Sequence, residues 1–209
     1  ATPDHTHAIV ALNAIRRGKH VYVEKPLAHT IHEVRVLMEA ASEAKVQTQV
    51  GNQGHSSNEI RQLCEWIQHG VIGEVKEVHA WFTGSYGDGA PRPADTPPIP
   101  EMLDWDLWLG PATHRPYHPN YLPGKWRYWF DFGTGVLGDW VCHILDPAFW
   151  ALNLEAPVSI IAKNSGGEYS PEKFAPQSDI EYRFPANGNR PPVKVIWTYG
   201  KKADIPQLQ

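Results

Sequence analysis

Along the first third of the chain, apolar residues recur at helical spacing in three stretches, separated by short β-branched runs. Residues 6–17 predict a helix with Ala8, Ile9, Leu12 and Ile15 on one side and Gly18 as its C-terminal cap. His20–Val23 predicts a short buried strand that runs into the turn Glu24-Lys25-Pro26. Thr30 and Glu33 form a capping box for a second helix, in which Ile31, Val34, Leu37, Met38 and Ala41 share a face. Val46–Val50 predicts a second strand, closed by Gly51-Asn52-Gln53-Gly54. Ser56 and Glu59 have the spacing of another capping box, opening a helix through Ile60, Leu63, Cys64 and Ile67 to Gly70. Helices alternating with short strands predict a parallel α/β sheet. Ligands of such sheets bind beyond the carboxyl ends of the strands, where Lys25 and Asn52 fall.

The pattern changes after Gly73, so residues 1–73 and 74–209 are expected to be separate domains. Val75–Phe82 alternates Val78, Ala80 and Phe82 against His79 and Trp81, as a half-buried strand does. Residues 84–134 are rich in Gly, Pro and Trp and predict a long irregular stretch. Strand patterns return at Val158–Lys163, Ile180–Phe184 and Val193–Tyr199. The whole reads as an α/β part followed by an α+β part with an incomplete sheet.

Composition narrows the function classes. A net charge of −4 leaves no basic footprint, so nucleic acid is not an expected partner. No apolar run approaches the ~20 residues of a membrane-spanning helix. Cys64 and Cys142 both sit in apolar helical patterns and predict buried thiols. Most of the nine tryptophans and nineteen prolines lie between Trp81 and Trp150, which fits a carbohydrate pocket wall or a loop-rich core filled by rings. Ala1-Thr2-Pro3-Asp4-His5-Thr6-His7 has no initiator methionine and reads as a chain entered in mid-domain. The expected compartment is therefore cytoplasm by default, with export left open.

Candidate chemistry concentrates in residues 136–152, where Val136, Leu137, Trp140, Val141, Ile144, Leu145, Phe149 and Trp150 make a helix apolar on most of its circumference. Asp139, His143 and Asp146 fall at i, i+4 and i+7, a single polar stripe, and Pro147 is expected to kink or end the helix. Buried ionisable groups must be paired. One reading is an Asp–His pair bracing the structure; the other is an acid/base histidine oriented by a carboxylate. Lys25, aimed by Pro26, would stabilise a developing alkoxide. His5-x-His7, His114-x-x-x-His118 and Asp139-x-x-x-His143 offer ligand-like pairs, but none makes a three-ligand motif, and no metal site is expected.

Thr2-Pro3-Asp4-His5-Thr6-His7, Gly18-Lys19-His20-Val21 with Glu24-Lys25-Pro26, and Gly133-Thr134-Gly135-Val136-Leu137-Gly138-Asp139-Trp140-Val141-Cys142-His143-Ile144-Leu145-Asp146 together resemble the Gfo/Idh/MocA oxidoreductase family, across essentially the whole chain. The resemblance implies the C-terminal half of a Rossmann-type parallel sheet domain, followed by an incomplete, mostly antiparallel sheet domain with a catalytic helix. It implies NAD or NADP as cofactor. Thr2, Pro3, His5, Glu24, Lys25 and Asn52 would face the nicotinamide and its ribose. Lys25, Asp139 and His143 would be catalytic, with His143 as base, and Trp126, Arg127 and Asp146 would meet a carbohydrate substrate. The bond before Pro26 is often cis in the family. Homo-oligomerisation through the open sheet is expected as well.

The G-x-G-x-x-G loop and its ribose-binding acid are absent from these residues, so the choice between NAD and NADP is not legible, and the piece alone is expected to be inactive. The expected activity is hydride transfer from a hydroxyl of a sugar, sugar acid or glycoside. A glycosidase, lyase or epimerase that oxidises transiently is an alternative, and so is a non-catalytic sugar binder on the same fold.

Overall fold

A computed structural model of the protein describes residues 2–87, 90–166, 170–201 and 203. Its helices are α1 (Asp4–Ile15), α2 (Ile31–Ala44), α3 (Asn58–Gln68), α4 (Trp105–Leu109), α5 (Gly135–Ile144) and α6 (Asp146–Ala151). Its strands are β1 (Val21–Glu24), β2 (Thr48–Gly51), β3 (Glu77–Phe82), β4 (Ser159–Gly166), β5 (Gln177–Phe184) and β6 (Val193–Tyr199). Packing divides the chain into two units, but not at the change of pattern after Gly73. The first joins Ala1–Asn52, Ala90–Asp139 and Ser170–Phe174; the second joins Gln53–Gly89, Trp140–Tyr169 and Ala175–Gln209.

In the first unit β1 and β2 pair in parallel, with Val21 opposite Thr48 and Glu24 opposite Gly51. Ala8, Ala11 and Ile15 of α1 pack with Val23, Ala28 and Leu37. The small alanines let helix and strand approach closely. α1 ends at Ile15, and Gly18 turns the chain at φ +69°, a conformation that costs glycine nothing. α2 opens as expected: Thr30 Oγ1 accepts from Glu33 N at 3.2 Å while Glu33 Oε2 accepts from Thr30 N at 2.8 Å. Its apolar face is narrower than the sequence suggests. Leu37 is buried, whereas Ile31 and Met38 are exposed.

The expected irregular stretch contains α4, N-capped by Asp104, and a 3-10 turn at Lys125–Tyr128. It is held by a ring cluster of Trp105, Tyr121, Trp126, Trp129 and Phe132 with Leu109. Burying an aromatic side chain contributes at most about 4–6 kcal/mol of transfer free energy, enough for a few rings to order a long loop. Residues 170–174 strap this part: Phe130 N donates to Glu172 O at 2.8 Å and Phe174 N to Tyr128 O at 3.1 Å.

In the second unit the sheet order is β3-β6-β5-β4. β4–β5 and β5–β6 are antiparallel, and β3 joins β6 in parallel. Val195, Trp197 and Phe184 are buried on one face, and Phe149 of α6 meets Phe184 edge-on with centroids 5.6 Å apart. α3 begins one residue later than expected. Ser57, not Ser56, is the cap, and its Oγ accepts from Ile60 N at 3.1 Å. α3 packs on α6, with Cys64 buried between its apolar neighbours. Cys64 and Cys142 are both free thiols, the former buried and the latter half-buried. The expected long helix over 136–152 is two helices, broken at Leu145, with Pro147 in the first turn of α6.

Candidate active site

β1 ends at Glu24, and the cis peptide Lys25–Pro26 follows. The Lys25 ammonium donates to Asp139 Oδ1 at 2.5 Å and to the Asp139 carbonyl at 2.8 Å. Asp139 is buried, with 6% of its side chain exposed, against 18% for Lys25. Its other carboxylate oxygen lies 3.5 Å from Arg127 Nε. The guanidinium of Arg127 rests 4.1 Å above the Trp126 ring. One carboxylate thus faces two cations, and the buried Asp4 carboxyl lies within electrostatic range of Asp139 and Arg127. Cations preorganised in a half-dry site stabilise an oxygen that becomes anionic.

Asp4 lies within electrostatic range of this group. Its carboxylate accepts from Thr134 N at 3.1 Å and Thr134 Oγ1 at 2.7 Å. Burial pushes the Asp4 carboxyl above its usual range, and the Asp139 charge adds to this; the Thr134 hydrogen bond, His7 and Arg127 oppose it. The histidines around it are tied to backbone carbonyls. His7 has Pro26 O at 2.7 Å and Thr2 O at 2.9 Å, and His5 has Phe132 O at 3.3 Å and Trp108 O at 3.1 Å. Burial holds His5 below the usual imidazole range. His29 Nε2 lies 3.0 Å from Gly133 O. A Cβ at Gly133 would stand 2.8 Å from the Arg127 Cα, so only glycine lets this loop lie against the turn that carries Arg127.

Sequence reading passed over Asp4 and Thr134 as site residues. Asp4 in the first turn of a helix invites a capping role, and the partner that marks it as more lies 130 residues away.

The other expected site residues are placed as follows. Thr2 is exposed and Pro3 half-buried; the latter takes the N-cap position of α1. His5 is 2% exposed with both ring nitrogens engaged, so its ring is packed and offers no free edge. Glu24 folds over Gly51, whose Cβ would meet the Glu24 carboxylate at 2.7 Å. Asn52 Oδ1 is enclosed and, among the described residues, without a hydrogen-bond partner. Trp126 is 8% exposed and joins the ring core, so of Trp126 and Arg127 it is Arg127 that stays open. Asp131, which could have paired with Arg127, instead pairs with Arg115.

His143 lies one turn after Asp139 on α5 and is half-buried, its ring edge-on to Trp140. Asp146 corrects the expectation of a continuous stripe. It belongs to α6, beyond the break, and its carboxylate accepts from His55 Nδ1 at 2.8 Å. Among the described residues no cluster of three His, Cys, Asp or Glu side chains is arranged to hold a metal ion.

Residues 1–52 match the family model described as the oxidoreductase family, NAD-binding Rossmann fold, and residues 60–188 match the oxidoreductase family, C-terminal alpha/beta domain. The chain belongs to the Gfo/Idh/MocA oxidoreductase family. It is 28% identical over 149 residues to the levoglucosan dehydrogenase of Pseudarthrobacter phenanthrenivorans, covering 71% of this chain and 30% of the relative. It is 37% identical over 149 residues to a glycosyl hydrolase family 109 protein of Saccharopolyspora erythraea, covering 70% of this chain and 26% of that one. The fold matches the Bordetella pertussis WlbA dehydrogenase, solved with NADH and UDP-GlcNAcA, at TM-score 0.64 and 17% identity, over 95% of this chain and 50% of the other. The chain thus spans a third or less of those two sequence relatives and half of the solved structure.

Proposed function

We propose that the protein serves an NAD(P)-dependent oxidoreductase reaction at a hydroxyl of a sugar, sugar acid or glycoside. The observation that carries this is the Lys25–Asp139–Arg127 group, a buried carboxylate held by two part-buried cations at the carboxyl end of β1. Membership of an NAD-binding oxidoreductase family supports the cofactor class, and relatives named for levoglucosan and solved with UDP-GlcNAcA support the substrate class.

The residues present fit a nicotinamide dinucleotide. Asn52 Oδ1 is a buried acceptor still in want of a donor, which an amide or ribose hydroxyl would satisfy. Thr2, Pro3, Glu24, Lys25 and Asn52 would hold the nicotinamide end, with His5 anchoring α1 beneath them. Bound there, the cofactor supplies the ring carbon that receives the hydride. Lys25 steadies the oxygen as it becomes an alkoxide. Asp139 fixes Lys25 and, one turn before His143 on α5, would set the orientation of that ring too. His143 takes the hydroxyl proton. Arg127, on its Trp126 floor, would hold a neighbouring substrate oxygen. In this reading residues 1–73 serve the nucleotide and 74–209 the substrate.

The test, in a protein that carries these residues together with the G-x-G-x-x-G loop, is turnover of an anhydrosugar or uronic-acid substrate, followed by NADH absorbance. Cofactor reduced in step with substrate consumed supports net oxidation. The resemblance to a glycosyl hydrolase family 109 protein favours a second reading, transient oxidation with bond cleavage, in which product accumulates without net NADH. Wild-type turnover in a Lys25→Ala variant would overturn both. The open face of the β3–β6 sheet, which exposes Trp81 and Ile161, is the proposed surface for self-association. A monomer in analytical ultracentrifugation at micromolar concentration would reject that part.

A further inference from the structure

Within the second unit, His55 sits in the 3-10 turn Gln53–Ser56, and its Nδ1 is 2.8 Å from Asp146 Oδ2. Its ring stacks on Trp150, with centroids 4.2 Å apart and planes 18° from parallel. A carboxylate only accepts, so Nδ1 carries the hydrogen, and in the neutral ring the lone pair is on Nε2. That nitrogen has no partner among the described residues, and half of the side chain, 51%, is exposed.

The contrast with the other placed histidines is informative. His5 and His7 are buried, with both ring nitrogens of each lying against backbone carbonyls and closed off from ligand. His55 has one nitrogen fixed by a carboxylate, one face fixed by an indole, and the second nitrogen open. A partner that sets the tautomer from behind is what prepares an imidazole to act through its outer nitrogen.

From this geometry we infer that His55 is a ligand-contacting residue whose Nε2 accepts the hydrogen of a hydroxyl on a carbohydrate-type ligand. Asp146 is its positioning residue and Trp150 its platform. Asp146 therefore acts through His55 and not by direct contact with the sugar. The hydroxylated class of the ligand rests on the function proposed above; the tautomer of His55 does not.

The experiment uses protein labelled with 15N in histidine and arginine, titrated with methyl α-D-glucopyranoside up to saturation. Long-range proton–nitrogen correlation spectra are expected to show His55 with an unprotonated Nε2. This nitrogen should shift as the pyranoside is added. In Asp146→Asn the single tautomer should be lost and the shift with it, while His5 and His7 stay unchanged. If that variant does not fold, Asp146→Ser provides the same comparison. A protonated Nε2 in the wild type overturns the inference. So does a pyranoside that moves the Arg127 guanidinium but not His55, and this outcome leaves the proposed function standing. A pyranoside that moves neither overturns both.

Discussion

Removal of the Lys25 ammonium tests the central group most directly. At 2.5 Å and an effective dielectric of about 20, the Coulomb attraction between Lys25 and Asp139 is about 7 kcal/mol, most of it offset by drying the two ions. The cost of Lys25→Met is therefore set by the stranded carboxylate. Breaking a buried pair from one side costs about 3–5 kcal/mol, and Arg127 at 3.5 Å retains part of the compensation. A loss of about 2–4 kcal/mol is expected, which for a chain of this size lowers Tm by roughly 4–16 °C. Asp139→Asn should cost less, because two cations are then left that can reach water. The double variant should recover at least ~1 kcal/mol relative to the sum of the single ones, since a neutral pair strands no charge. The assay is urea unfolding followed by tryptophan fluorescence and circular dichroism for all four proteins. Single variants that each lose under about 0.5 kcal/mol and add without coupling would refute the idea that this pair is an energetic unit.

Three further outcomes follow from the same geometry. In a protein that also carries the G-x-G-x-x-G loop, His143→Ala should lower turnover about 10²–10⁴-fold with an unchanged circular dichroism spectrum, and near-normal turnover would remove it from the mechanism. Asp4 has its carboxyl raised by burial, so its stabilising contribution is complete below the unfolded value of 3.8 and is lost as pH rises through the folded one. Asp4→Asn should therefore gain on the wild type as pH is raised through that window, and parallel Tm curves would contradict the assignment. A Cβ at Gly138 would stand 2.2 Å from the Thr134 Cβ, so Gly138→Ala should displace Thr134 from Asp4 at a cost of about 1–3 kcal/mol. Thr134→Gly in the same chain removes the opposing Cβ and should relieve part of that loss; no relief would place the clash elsewhere.

Much of the fold could be read along the chain because its signals are local. Thr30 and Glu33 are three residues apart and declare the start of α2 by themselves. The adjacent serines Ser56 and Ser57 could both cap α3, and only the preceding turn decides for the second. The family resemblance put Lys25 and Asp139 in one group, but the ion pair between them is not written in either motif, because 114 residues separate them. The contact of His55 with Asp146, 91 residues apart, is likewise not written in a local pattern. Trp126 was ambiguous for a different reason. A large ring in a Pro- and Gly-rich stretch suits a pocket wall and a loop core equally well, and burial among other rings chose the core.

The interleaving of the two units bears on how the protein is made. The chain passes from one to the other at residues 52/53, 89/90, 139/140, 169/170 and 174/175, five crossings in all. A ribosome emitting residues in order therefore cannot complete the first unit until the strap at 170–174 has emerged, when most of the second already exists as nascent chain. Neither can be liberated by a single proteolytic nick. A gene truncated near residue 73 would leave the first unit without its ring core. Translation pauses before residue 174 would hold exposed indole rings open to chaperones, and engineering by domain exchange would need to move three segments together.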